Sequence, residues 1–163
     1  MTFVSIHFRK KKFRPNAAVI ISNGQGQILL CERYDKPGQI QTVQGGIDEG
    51  ETAEQAAARE LKEELGLQSA DFAIKAYLLG THKYEWTPEI QKRMRQLRDM
   101  SEFSGQEQHF FLVEIDPDQK FDLDFHHREF SQVWWGSPQE LVDQIWHRKR
   151  PGIEAALEGF DLI

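Results

Sequence analysis

A single cysteine, Cys31, stands among 163 residues, so no disulfide can form within the chain. Small crosslinked scaffolds are thereby excluded, and the fold must rest on a hydrophobic core, for which this length suffices. A lone thiol in an apolar stretch predicts a buried strand residue in a reducing compartment. No apolar run approaches the roughly 20 residues of a membrane-spanning helix. Positive charge is also scarce: 20 Lys and Arg against 26 Asp and Glu leave a net charge of -6. That balance excludes bulk electrostatic attraction to a polyanion but leaves room for a local basic groove. There is no internal repeat and no low-complexity linker, so a single domain over 1–163 is expected. Residues 1–12 read as a basic tail, either solvated or touching a polyanion. Its basic run follows a short apolar stretch, the reverse of a secretory signal, which predicts a cytoplasmic protein.

What is present is a mixture of strands and a few helices. Residues 17–22 (AAVIIS) and 27–33 (QILLCER) predict two strands joined as a hairpin through the Asn23-Gly24 turn. Further strands are expected at 73–79, 109–115 and 132–135, and a helix or an ordered loop at 88–98. Ser137-Pro138-Gln139-Glu140 is a capping box that opens a helix to about His147. Pro151 starts a last helical stretch to about Leu157, so the C-terminal helices cover about 138–158. This order predicts an α/β sandwich with a mixed central sheet rather than a regular βαβ array.

The strongest helix signal covers 52–65. Thr52 and Gln55 form a capping box, alanines follow, and Gly66 supplies the stop. On such a helix Glu60, Glu63 and Glu64 fall within one arc of roughly 100°. Like charges at three- and four-residue spacing repel. Either the arc is a solvated acidic face, or a hard divalent cation with oxygen ligands resolves the conflict. Gly45, Gly46 and Gly50, which precede the helix, allow close backbone approach to a ligand.

Gly45, Glu51 and the run Arg59-Glu60-Leu61-Lys62-Glu63-Glu64-Leu65-Gly66-Leu67 match every fixed position of the Nudix box, residues 45–67. The chain thus resembles the Nudix hydrolases. The resemblance implies an α/β/α sandwich with a loop-helix-loop metal site. In it Glu60, Glu63, Glu64 and the Gly45 carbonyl hold Mg²⁺ or Mn²⁺, Arg59 orients carboxylates, and Glu51 is structural. Water activated at the site would attack phosphorus in line.

Four flanking stretches resemble one branch, the bacterial RNA pyrophosphohydrolases and dinucleoside polyphosphate (Ap4A) hydrolases: Phe13-Arg14-Pro15-Asn16, Gln44-Gly45-Gly46-Ile47, the run GQEQHFFL at 105–112, and Glu129-Phe130 ahead of Trp134-Trp135. The branch makes Glu129 a further metal ligand or candidate base beside Glu64. Three departures stand out. IQTV at 40–43 replaces WQFP, Arg128 stands where Pro is usual, and Arg148-Lys149-Arg150 replaces Phe-Lys-Arg, so an aromatic able to stack a base becomes a cation.

On the substrate side Arg33 is either a phosphate contact or an exposed strand-end arginine. Lys92, Arg93, Arg95 and Arg98 follow Tyr84 and Trp86, and suit either a stacked base with adjacent phosphates or a solvated helix face. Gln44, Gln108 and Lys149 complete the substrate candidates. His126 and His127 read as surface residues near the site mouth, and Trp134 and Trp135 as packing. The resemblance implies removal of pyrophosphate or stepwise phosphate from RNA 5′ ends, with Ap4A hydrolysis as the near alternative and an inactive nucleotide- or RNA-binding sensor as the distant one. The oligomeric state stays open, a monomer included.

Overall fold

The computed structural model describes residues 11–97 and 99–163. Arg98, and all of the expected basic tail except Lys11 and Lys12, lie outside the described residues.

The sheet is organised around β1 (Phe13–Ser22), buried without interruption from Asn16 to Ser22. A strand covered on both faces needs an unbroken small or apolar run, and AAVII provides it. Along one edge β1 pairs in parallel with β7 (Gly105–Ile115), from Phe13 opposite Gly105 to Ser22 opposite Glu114. Along the other it pairs antiparallel with β4 (Val43–Gly46), Ala17 facing Gly45. β5 (Phe72–Tyr77) and β6 (His82–Glu85) lie antiparallel to successive parts of β7. β2 (Ile28–Arg33) pairs with the short β3 (Ile40–Gln41) and with β8 (Phe130–Gly136).

The expected hairpin of β1 and β2 is reduced to its root. Ser22 faces Ile28 and the strands then part, β4 taking the place beside β1 and β2 turning to β8. The loop between them carries Gly24 and Gly26 at φ 74° and 84°.

Successive β1 residues point to opposite sides. Ala17, Val19 and Ile21 pack with Leu61 and Leu65 of α1 (Ala53–Leu65). Ala18 and Ile20 pack with Leu141 of α3 (Pro138–Gln144) and with Ile153 and Leu157 of α4 (Arg150–Gly159). This is the expected α/β/α sandwich. Trp134 joins the second core, and Trp135 the first while donating to the Pro117 carbonyl at 3.1 Å, so both pack as expected.

α1 begins after Thr52, whose hydroxyl accepts from Gln55 N–H, and ends at Gly66 in the left-handed region, φ 71°. The segment left open as helix or loop forms α2 (Pro88–Met94), capped by Thr87. α3 stops at Gln144, short of His147, because Ile145 is extended. β7 starts four residues before the expected 109, its polar GQEQ run being held between β1 and β6. β3, β4 and β6 escaped the sequence reading. Each has four residues or fewer, and pairing with a longer neighbour fixes it rather than any periodicity of its own. Among the described residues no helix is long and apolar enough to cross a membrane.

Candidate active site

The site grows from the β4–α1 connection. Arg59 grips its surroundings with the whole guanidinium. Nε and Nη2 donate to the two Glu51 oxygens at 2.9 and 3.0 Å, and Nη2 also reaches the Gly46 carbonyl at 2.8 Å. Nη1 donates to Glu60 at 2.7 Å and to Glu63 at 3.3 Å. Arg59 therefore ties the loop to two helix carboxylates, and its own proton is held more tightly than in water, first through Glu51. Glu51 meets Arg59 with both oxygens, and its carboxyl is held below the ordinary range mainly by that hydrogen bond.

Glu60 and Glu64 are buried, at 8% and 4% exposure. Burial raises the proton affinity of both. Arg59 opposes the rise at Glu60, whereas Glu60 and Glu129 add to it at Glu64. The Gln44 N–H donates to Glu64 at 3.3 Å. Gly45 makes this crowding possible: a Cβ there would sit 2.0 Å from a Glu60 oxygen.

On Gln44, whose N–H meets Glu64, opens a cavity of about 390 Å³, in the range of small-molecule sites. Arg33, Lys36, Arg93 and Lys149 bring cations to it, Tyr84, Trp86 and Trp146 bring aromatic surface, and Gln44 and Glu129 lie on the same wall. Lys149 is half-buried, its ammonium 5.7 Å from the Tyr84 ring centre. Desolvation, then Arg33, pull it down to about 8 against the pull of Glu64 and Glu129. Tyr84 donates to Gln106 at 2.5 Å, and burial raises its phenol.

Of the substrate candidates, Arg33, Gln44, Tyr84, Arg93 and Lys149 come together on this cavity. Lys92 and Gln108 do not. Lys92 is exposed on α2 away from the lining. Gln108 is 3% exposed and donates to Asn16 at 3.2 Å, and Asn16 donates to the Gln44 side chain at 2.7 Å. Gln108 thus reaches the cavity only through Gln44. Arg33 also pairs with Asp35 at 2.8 Å. His126 and His127 are exposed, and His127 Nε2 lies 3.1 Å from Glu129. Arg148 donates to the Glu85 carbonyl at 3.1 Å and sits 5.9 Å from the Trp146 ring centre. Trp146, Gln106 and Lys36 were missed by the sequence reading. Trp146 lies in the IWHRK turn that separates α3 from α4, where helical periodicity gives no signal.

An arginine-clamped acidic helix packed on the sheet, next to a cavity lined with cations and aromatics, makes an arrangement suited to phosphate groups on an α/β/α sandwich. Comparison with known proteins supplies the family. The NUDIX domain pattern matches residues 12–156. The RNA pyrophosphohydrolase of Aeromonas hydrophila is 36% identical over 151 residues, 91% of this chain and 83% of the relative. That of a Nitratiruptor species is 34% identical over 155 residues, 93% and 95% of the two chains. A Caenorhabditis elegans Ap4A hydrolase shares the fold with a TM-score of 0.67 at 16% identity, over 92% of this chain and 99% of the other. The chain belongs to the Nudix family and is a hydrolase of pyrophosphate bonds.

Enzymes of this family generally need divalent metal ions. The donors here suit a hard cation: all are oxygens, and the buried Glu60 and Glu64 repel each other. As the side chains stand, no three carboxylate, imidazole or thiolate groups among the described residues converge on one point. Arg59 draws Glu60 and Glu63 to itself.

Proposed function

We propose that the chain converts 5′-triphosphate or 5′-diphosphate RNA to 5′-monophosphate RNA, removing pyrophosphate or stepwise phosphate. The observation that carries this reading is the cavity that joins Glu129 to Arg33, Lys149 and an aromatic wall, with Glu64 behind it on the backbone N–H of the lining residue Gln44. RNA pyrophosphohydrolase relatives over nine-tenths of the chain support it. Gly45, Glu60, Glu63, Glu64 and Glu129 would hold Mg²⁺ or Mn²⁺, which supplies charge neutralisation on phosphate oxygens and acidifies water.

The chain's own residues have separate tasks. Arg33, Arg93 and Lys149 receive the polyphosphate, and Tyr84 orients beside them. Arg59 positions Glu60 and Glu63. Water forms the new O–P bond while the anhydride P–O bond breaks, and the leaving phosphate or pyrophosphate takes the bonding pair. The water proton passes to a carboxylate oxygen of Glu64 or of Glu129. Glu64 suits this role through its raised proton affinity, and Glu129 through its place on the cavity wall. A cytoplasmic location is part of the same reading, and a buried thiol with no disulfide partner in the chain is compatible with it.

RNA labelled at the α and γ phosphates, incubated with the protein and Mg²⁺, should yield 5′-monophosphate RNA. A complete lack of that product would refute the reading. The Ap4A alternative is decided by comparing kcat/KM on the two substrates.

A further inference from the structure

We infer that the outward face of α2 binds the backbone phosphates of single-stranded RNA just beyond its 5′-terminal nucleotide, an inference that rests on the RNA reading above. α2 has two faces. Glu89, Ile90, Arg93 and Met94 line the cavity. Lys92 lies on the other side of the helix, and Arg95 caps its end, about 60° from Lys92 around the axis. Lys92 and Arg95 are exposed, and no residue of α2 is buried.

Of the acids nearby, Glu89 stands three residues before Lys92 on the helix and lines the cavity, and two on the neighbouring segments are already paired. Glu85 pairs with Lys11 at 2.7 Å and Glu102 with Lys12 at 3.1 Å. Among the described residues Lys92, Arg93 and Arg95 make no ion pair. In a chain of net charge -6, a face of three cations without an ion pair is a local exception. It also adjoins the cavity, because Arg93 stands on the lining while its chain neighbour Lys92 faces out.

A substrate whose terminal phosphates reach Lys149 and Arg33 must leave the cavity somewhere, and the α2 rim offers a polyanion unneutralised charge. A dinucleotide ends before this face, whereas an RNA chain continues across it. No base-reading geometry is involved, so the contact is indifferent to sequence. The face therefore favours RNA chains over dinucleoside polyphosphates.

The test compares a 5′-triphosphate dinucleotide with a 5′-triphosphate RNA of about ten nucleotides, within the usual span of single-strand sites. Wild-type enzyme should show a higher kcat/KM on the longer RNA, and rising salt should erode the advantage. The Lys92→Glu/Arg95→Glu variant should lose most of that length advantage. Lys92→Gln/Arg95→Gln, which keeps good helix formers, should lower the log–log salt slope by about 1.4, or about 0.7 per phosphate contact. Circular dichroism identifies any variant that has unfolded, and the Gln pair then stands alone. Equal wild-type rates on short and long RNA, or variants that keep the advantage, would overturn this inference and leave the RNA reading intact. A wild-type enzyme that cuts Ap4A but neither RNA would overturn both.

Discussion

On the reading proposed above, α1 and α2 form two walls of the substrate path, and they are built in opposite ways. α1 has 13 residues, a complete capping box, six buried side chains and an arginine that answers its own glutamates. α2 has seven residues, no buried side chain and cations that make no ion pair among the described residues. Where charge is buried, position is fixed by partners within the protein, as chemistry at phosphorus requires. Where charge is exposed and unpaired, the partner must come from solution. On the readings proposed above, the first wall would govern turnover and the second the choice of substrate.

The largest effect should come from the first wall. Glu64→Gln should lower kcat by about a thousandfold, at the upper end for loss of one electrostatic group, while far-UV circular dichroism is unchanged. Stability should move the other way. In the folded protein Glu64 binds its proton more tightly than in the unfolded chain. Its contribution is therefore complete at low pH and is lost as pH rises through the folded value. With chelator present at neutral pH, Glu64→Gln should raise Tm by a few degrees, and an unchanged or lower Tm would contradict the burial argument.

Two glycines sharpen the contrast. A Cβ at Gly45 meets a side chain, that of Glu60, which must shift against its Arg59 partner, whereas a Cβ at Gly105 meets the Tyr84 carbonyl at 2.0 Å, which is backbone. Gly45→Ala should therefore cost activity on the order of a hundredfold with little loss of stability. Gly105→Ala should cost about 1–3 kcal/mol by forcing β6 away from β7, and should raise KM because Tyr84 and α2 move with it. Denaturant unfolding together with steady-state kinetics on both variants separates the two.

The smallest effect concerns Lys149. Held near pKa 8 rather than the ordinary 10.5, it loses its charge as pH rises through about 8. In the free enzyme kcat/KM should fall severalfold across that range with kcat less affected, and Lys149→Arg should remove the alkaline limb. The unfolded chain holds this proton up to higher pH, so Lys149 makes stability rise between about 8 and 10.5. A Tm that falls over that interval in wild type and in Lys149→Met alike would show that other groups dominate.

Much of the first wall was legible in the sequence. Thr52, Gln55 and Gly66 bound the helix, and the spacing of Glu60, Glu63 and Glu64 places them on one arc because both features depend on neighbours within a few residues. Arg33, Tyr84 and Lys149 could be named as candidates, but their meeting on one cavity required the sheet, since β2, β6 and the α3–α4 turn are distant in sequence. Gln108 shows the limit: its residue type suits a ligand contact, and only the parallel register of β7 with β1 sets it against Asn16. The opening of the β1–β2 hairpin was likewise hidden, because a turn signal says that the chain reverses and not how far the pairing continues.

The linked amides of the buried Gln108 and Asn16 and the half-buried Gln44 have a direction. Each spends its acceptor or its donor on the next: Gln108 gives a hydrogen to the Asn16 oxygen, and Asn16 gives one to the Gln44 oxygen. The Gln44 carbonyl is thereby engaged, and the group it can turn towards the cavity is its NH₂. A core far from solvent thus sets the polarity of one point on the wall. That point can offer hydrogens to an oxygen-rich guest, but cannot readily receive them from an amino group.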